Sequence, residues 1–338
     1  MASEAFERCP TFPEENLLPN LTTWLSNNRR HALACSRLGK EVRIKHSNRQ
    51  GHRVENSDGT DGRFLIFGQV SPDSQIGAFG DHVQKWDGMP PKIFDSTKVH
   101  DKILLECPDD APGLLEYFFR MQSAFLNTIR DLDRDEDSND CRDPTHEEWL
   151  EPRDSGPMRT LRVYLGQKYV LPENANNGSN PQRLRPATFL ADSEQMAAGD
   201  KWEGNEPVCT PWCQPDYKSE LIEHKRAQLA QLDIRDSANE EIHASRTYGM
   251  LRPGALVLME VRLSMQVLSD FNRIHRVYRI YAEKVRVLSI KRGVFFKLFK
   301  YDISRSVSRQ GYDAEERYVV NKRELEKRKI MENYPFNA

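Results

Sequence analysis

Cations interleaved with aromatic rings near the C-terminal end are the clearest chemical signal in this sequence. Phe271, Arg273, His275, Arg276, Tyr278, Arg279 and Tyr281 stand close together, and Phe295, Lys297, Phe299, Lys300 and Tyr301 follow. Lys and Arg attract phosphates, and an exposed ring stacks a base whatever its identity, so this pattern on a sheet suits a single nucleic-acid strand. The residues expected at such an interface are Phe271, Arg273, Arg276, Tyr278, Arg279, Lys297 and Lys300. A plainer reading stays open: rings in a core and cations in water, since strand alternation does not turn every one of them outward.

Other chemistry finds less support. Cys209 and Cys213, with His224 and His243 downstream, hold the residue types of a zinc site, but the Cys pair is loosely spaced and flanked by Pro211 and Trp212. Two ordinary thiols in a loop are expected instead, and no metal. Asp131, Asp133, Asp135, Glu136 and Asp137 mimic the start of a calcium loop without its central glycine or its terminal Glu. Gly77-Ala78-Phe79-Gly80 lacks the lysine and serine of a phosphate loop, and no hydrolase or protease motif occurs. No catalytic residue and no cofactor are expected. A pair of carboxylates that meet only in space would still allow a metal-dependent enzyme acting on nucleic acid.

Charge is segregated behind a formal net of −2. Residues 252–330 hold 19 Lys+Arg against 9 Asp+Glu, a net of +10, and residues 29–53 hold 8 basic residues against Glu41, a net of +7. Residues 131–158 hold 3 basic and 11 acidic residues, a net of −8. Either a polyanion meets the basic parts, or the acidic and basic parts meet within the fold. The six cysteines follow no framework spacing, which suits a reducing, intracellular compartment, nuclear or cytoplasmic. No apolar run is long enough to span a bilayer, and the acidic start is no secretory signal.

The elements that must position these residues read as follows. A helix is expected over 20–38, strands over 41–46, 63–70 and 102–106, and a loop over 47–62. Asp110-Ala111-Pro112 leads into the strongest helix, with Leu114, Phe118, Met121, Phe125, Ile129 and Leu132 on its inner face. Residues 160–170 read as two short strands turning at Gly166. Residues 216–232 read as an amphipathic helix with Leu221, Ile222, Leu229 and Leu232 inward. From 255 to 268, Val257, Met259, Val261, Leu263, Met265 and Val267 alternate with Glu260, Arg262, Ser264 and Gln266, a strand with one buried face. The return strand over 276–290 changes phase between Ala282 and Val285, which calls for a β-bulge near Glu283–Lys284. A third strand over 294–301 and a basic helix over 320–331 complete the expectation.

The hairpin running from Gly254-Ala255-Leu256-Val257-Leu258-Met259-Glu260-Val261-Arg262-Leu263 to Tyr278-Arg279-Ile280-Tyr281-Ala282-Glu283-Lys284-Val285-Arg286-Val287-Leu288 resembles the opening hairpin of an OB-fold, of the kind found in replication protein A-type single-strand-binding proteins. The same stretch resembles the ends of proteins from mushroom-forming fungi, a likeness that implies no function. The first resemblance implies that the hairpin loop and sheet face bind a strand through Phe271, Arg273, Arg276 and Tyr278. The expected class is α+β: a mixed α/β domain over 1–135, an acidic linker over 136–158, and an antiparallel, β-rich, OB-like domain over 159–338. The expected function is non-catalytic binding of single-stranded DNA or RNA, with a protein-interaction or assembly module as the alternative and no membrane partner.

Overall fold

The computed structural model describes residues 2–29, 31–36, 42–45, 52–56, 58–82, 92–136, 145–151, 160–171, 185–186, 222–270 and 273–290. The helices among them are α1 (Ala2–Glu7), α2 (Leu17–Asn27), α3 (Gly113–Glu136) and α4 (Ala244–Met250). The strands are β1 (Val42–Lys45), β2 (His52–Asn56), β3 (Arg63–Val70), β4 (Ile93–Phe94), β5 (His100–Glu106), β6 (Thr145–Glu147), β7 (Leu150–Glu151), β8 (Thr160–Gln167), β9 (Tyr169–Val170), β10 (Arg185–Pro186), β11 (Ile222–Glu223), β12 (Gln228–Gln231), β13 (Ile234–Arg235), β14 (Leu256–Asp270) and β15 (Arg273–Ser289). This is a mixed α+β protein built on a ten-stranded sheet.

Alternation writes the long hairpin. Val257, Met259, Val261, Leu263 and Met265 of β14 are all buried, and β15 turns Tyr278, Ile280 and Ala282 to the same side. Val261 then pairs with Ala282 while Glu260 pairs with Lys284, so Glu283 is the extra residue of a bulge, at the place the phase change requires. Beyond it Val285 and Val287 return to the inner side, buried.

The hairpin closes a circuit. β14 pairs antiparallel with β3, β3 with β5, and β5 with β8; β8 runs parallel to β15, and β15 returns to β14. Strands of the expected 1–135 and 159–338 domains therefore lie in one sheet, and the intervening acidic stretch adds β6 beside β15 and β7 beside β8. The hairpin expected to open a separate domain supplies the last two strands of the circuit.

The circuit is thin between β3 and β5, which pair only at Gln69–Glu106 and Val70–Leu105. There α3 stands in for a strand. Gln122, buried, accepts a hydrogen bond from Phe67 N–H at 3.0 Å and donates one to the Phe67 carbonyl at 3.2 Å. The neighbouring Leu65 N–H donates to the His31 carbonyl at 2.8 Å. The Phe67 peptide groups and the Leu65 N–H at this strand edge thereby have partners although they are buried. Leu115, Phe118, Phe119, Phe125, Leu126 and Ile129 form the buried side of α3, with Phe119 edge-on to Phe67 at 6.1 Å. Phe118, Phe125 and Ile129 are buried as expected; Leu114 and Leu132, expected inward, are exposed at the edge of a face that Leu115, Phe119 and Leu126 extend on its other side.

Other expectations shift. α2 ends at Asn27, and a short 3-10 turn, Leu33–Cys35, follows. The expected loop over 47–62 contains β2. The strand break near Gly166 falls at Lys168. Within the expected helix over 216–232, residues 222–231 form β11, a tight turn and β12 instead. Asp95 accounts for this: its carboxylate accepts backbone N–H bonds from Lys225, Arg226 and Ala227, which fixes a turn where a helix would need those groups pointing along its axis. Those bonds hold the Asp95 carboxyl below the usual range although burial pushes the other way. The expected strand 294–301 and helix 320–331 lie outside the described residues.

Candidate nucleic-acid interface

The outer side of the circuit carries a row of cations and rings. In register across four strands stand Lys102 of β5, Tyr164 of β8, Tyr281 of β15 and Arg262 of β14. The next row, on the opposite phase, is Ile103, Val163, Ile280 and Leu263, every one buried. Period-two alternation thus separates an apolar core from a cation–ring–ring–cation surface at one residue's distance along each strand.

The rings form a connected group. Tyr164 and Tyr281 lie 6.1 Å apart between centroids, and His100 meets Tyr281 edge-on at 6.4 Å. The Arg279 guanidinium sits over the Tyr164 ring, 5.2 Å from its centroid, and Arg279 Nη1 donates to the Tyr281 hydroxyl at 3.4 Å. Tyr164 is buried and forms the floor; His100, Tyr281 and Arg279 are partly exposed above it. His100 Nδ1 lies 2.9 Å from the Leu165 carbonyl, which fixes the imidazole against β8. Arg162 adds a further cation beside Lys102, both close to Glu151. Burial pushes the Glu151 carboxyl up, but the Arg162 and Lys102 charges outweigh it and hold it below the usual carboxylate range.

At the other end of the same outer side, the sheet is covered. α1 packs there: Lys284 Nζ donates to Ser3 Oγ at 2.8 Å and to Glu7 at 2.6 Å and lies over the Phe6 ring. Arg286, fully buried, donates to the Cys9 and Ser237 carbonyls. Among the described residues, the open part of the face is the stretch around Tyr281.

Of the residues expected at an interface, Arg279 belongs to this group. Arg276 and Tyr278 do not. They lie on the inner phase, 5% and 1% exposed. Arg276 Nη1 bonds Asp133 Oδ2 at 2.7 Å and Tyr278 Oη donates to the same carboxylate at 2.8 Å. Trp149 packs edge-on to Tyr278 with centroids 5.0 Å apart. A ring enclosed in this way offers no face to a base, and Asp133, from the acidic stretch, already neutralises the guanidinium. Arg273 opens β15 opposite Asp270. Phe271, Lys297 and Lys300 lie outside the described residues, as do Cys209 and Cys213. Of the two histidines considered with them, His224 packs edge-on to Tyr169 at 4.5 Å, and His243 caps α4 by accepting from Ser245 N–H.

His100, Lys102, Arg162, Tyr164 and Arg262 were not singled out by the sequence reading. A signal existed: Arg162 and Tyr164 alternate with Leu161, Val163 and Leu165, the same in–out pattern that marks Arg279 and Tyr281. What the sequence hides is that these strands, more than a hundred residues apart, are neighbours.

No family model matches the chain, and no curated protein matches it. Among solved structures it is similar to gp2.5, a single-stranded DNA binding protein encoded by bacteriophage T7, with a TM-score of 0.30 and 10% identity over 68% of this chain and 93% of that one. It is also similar to the single-stranded DNA-binding protein from bacteriophage Enc34, with a TM-score of 0.30 and 9% identity over 75% of this chain and 93% of that one. For the Enc34 protein in complex with ssDNA the values are 0.31 and 9% over 76% and 99%.

Proposed function

We propose that this protein binds single-stranded nucleic acid, without cleaving it, on the outer face of β5, β8, β15 and β14. The observation that carries the proposal is the row Lys102, Tyr164, Tyr281, Arg262 with Arg279 stacked over Tyr164. Partly exposed rings give bases a stacking surface that is indifferent to sequence. Flanking cations attract the phosphates and release counterions when they are neutralised. A duplex buries its base faces and gains only the second of these.

The circuit supports the same reading. Taken in chain order as strands one to five, β3, β5, β8, β14 and β15 pair in the order one-two-three-five-four and back to one, with three and five parallel. That is the order of a five-stranded OB-type barrel, in which the face of strands two and three and the loops after strands one and four take oligonucleotides. In that frame β5 and β8 are strands two and three. Fold likeness alone does not assign function, so the test is made on the side chains.

Fluorescence anisotropy of labelled oligo(dT) and oligo(U) at low salt tests it. The wild type binds both more tightly than a duplex of equal length. Tyr281→Ala and Arg279→Ala each weaken binding by about tenfold, the scale of one lost base stack. Lys102→Gln lowers the slope of log affinity against log salt by about 0.7. No binding at low salt, or binding indifferent to Tyr281 and Arg279, overturns the proposal.

A further inference from the structure

Cations on the proposed face are already engaged by the chain itself: Arg262 Nε lies 3.8 Å from Glu283, and Lys102 and Arg162 share Glu151. Glu151 ends β7, which pairs with β8 through Leu150–Leu161 and Glu151–Thr160 and so lies along the margin of that face. Its Oε1 atom accepts from Lys102 Nζ at 3.2 Å and from Arg162 Nε at 2.7 Å, with Arg162 Nη2 at 2.6 Å. One anionic oxygen thus gathers three N–H donors from two strands. A non-bridging phosphate oxygen makes the same charge-assisted contacts with the same donors. All three side chains are partly exposed, so the triad lies where solvent and a ligand reach it. The Arg279 guanidinium, nearby on the same face, meets the Tyr164 ring and the Tyr281 hydroxyl.

We infer that Glu151 is an internal competitor for the strand's phosphate, occupying Lys102 and Arg162 when the face is empty and giving way when a phosphate arrives. This rests on the binding proposed above and adds a selectivity to it. Because Glu151 is tethered beside its cations, a small anion meets it at a disadvantage. A strand held by Tyr281, His100 and Arg279 brings its phosphate at high local concentration and displaces it. The acidic stretch 131–158 then has two separate uses: Asp133 fastens the core through Arg276 and Tyr278, and Glu151 sets the threshold of the surface.

The test is Glu151→Gln, which keeps the side chain's size and removes its charge, measured by oligo(dT) anisotropy across salt concentrations. Glu116→Gln, on α3 and paired with Arg120, makes the same change in net charge and serves as control. E151Q tightens binding about five- to tenfold at low salt, the sum of two weak exposed pairs released. Its slope against log salt steepens by about 0.7, the one positive charge that Glu151 cancels. Inorganic phosphate at millimolar levels inhibits oligo(dT) binding more strongly in E151Q than in the wild type. Glu151→Asp, which draws the carboxylate back by one methylene and keeps its charge, tightens binding less and in the same direction, and it carries the test if E151Q does not fold. If the wild type binds and E151Q binds no tighter, or if E116Q tightens equally, the inference is overturned and the proposed function stands. If neither wild type nor E151Q binds, both fall.

Discussion

At the scale of single residues, neighbouring positions on β15 do opposite things. Tyr278 and Arg276 face the core and are tied to Asp133, while Arg279 and Tyr281 face outward over Tyr164. Composition alone gives them one character, since each is a ring or a guanidinium in the same run. Alternation assigns them once the phase is fixed by Ile280 and Ala282, both buried, and that phase was legible in the sequence. The particular partner was not: Asp133 stands 143 residues from Arg276, and charge segregation offered only that acidic and basic parts could meet within the fold. Asp133→Ala leaves the buried guanidinium without its carboxylate and is expected to cost about 3 kcal/mol, because removing one member of a buried pair exposes the full cost of the other. Asp133→Asn, which keeps hydrogen-bond acceptors, costs less. Urea unfolding checks both, and oligonucleotide affinity of the folded fraction does not change. Burial, then the Asp133 charge, pushes the Tyr278 phenol above its ordinary value of 10.0. A raised folded-state value contributes stability that is complete below the unfolded value and lost as pH rises beyond it. The wild type therefore loses stability above pH 10 more steeply than Tyr278→Phe, as unfolding curves through the alkaline range will record.

At the scale of elements, legibility followed the range of the contacts. α3 was readable because its apolar positions recur every three or four residues, although Leu114 and Leu132, expected inward, are exposed at the edge of the face. The residues at 222–231 carry a helical-looking spacing too, yet they form β11 and β12, because Asp95 and β9 decide their conformation from outside the segment. Local pattern has no access to that. Gln122 is the sharper case. A glutamine inside an apolar helix face reads as a blemish, and its use becomes visible only beside the Phe67 peptide. Gln122→Leu leaves that buried N–H and C=O without partners, at an expected cost of about 2–4 kcal/mol. Gln122→Glu keeps an acceptor for Phe67 N–H but places an anion beside the Phe67 carbonyl, so it does not restore the wild type. Hydrogen exchange at the Phe67 amide distinguishes loss of this bond from general destabilisation: in Q122L it exchanges faster relative to the β14 amides than in the wild type.

At the scale of the molecule, sequence distance and spatial order part company. Composition drops to an acidic stretch near the middle, and a boundary there is the natural expectation. The sheet is instead laid across it. β3 has β14 along one edge over seven paired positions, Leu256–Gln69 to Arg262–Arg63, and only two paired positions with β5 on the other. A chain ended at residue 135 would keep β3, β5 and α3 but would lose β8, β14 and β15. Ile66 and Ile103, buried in the whole protein, would then lose Met259 of β14 and Val163 of β8 from beside them and face water. That exposed apolar area outweighs what two residual strand pairs and a helix contribute. Fragment 1–135 is therefore expected to lack a cooperative thermal transition and to show broad, poorly dispersed amide signals. A chain ended at residue 290 retains every strand of the circuit and is expected to unfold in one step. Should fragment 1–135 instead melt cooperatively with dispersed amides, the first half of the chain is a domain in its own right. The face around Tyr281 would then lie on a junction between two folding units rather than within one.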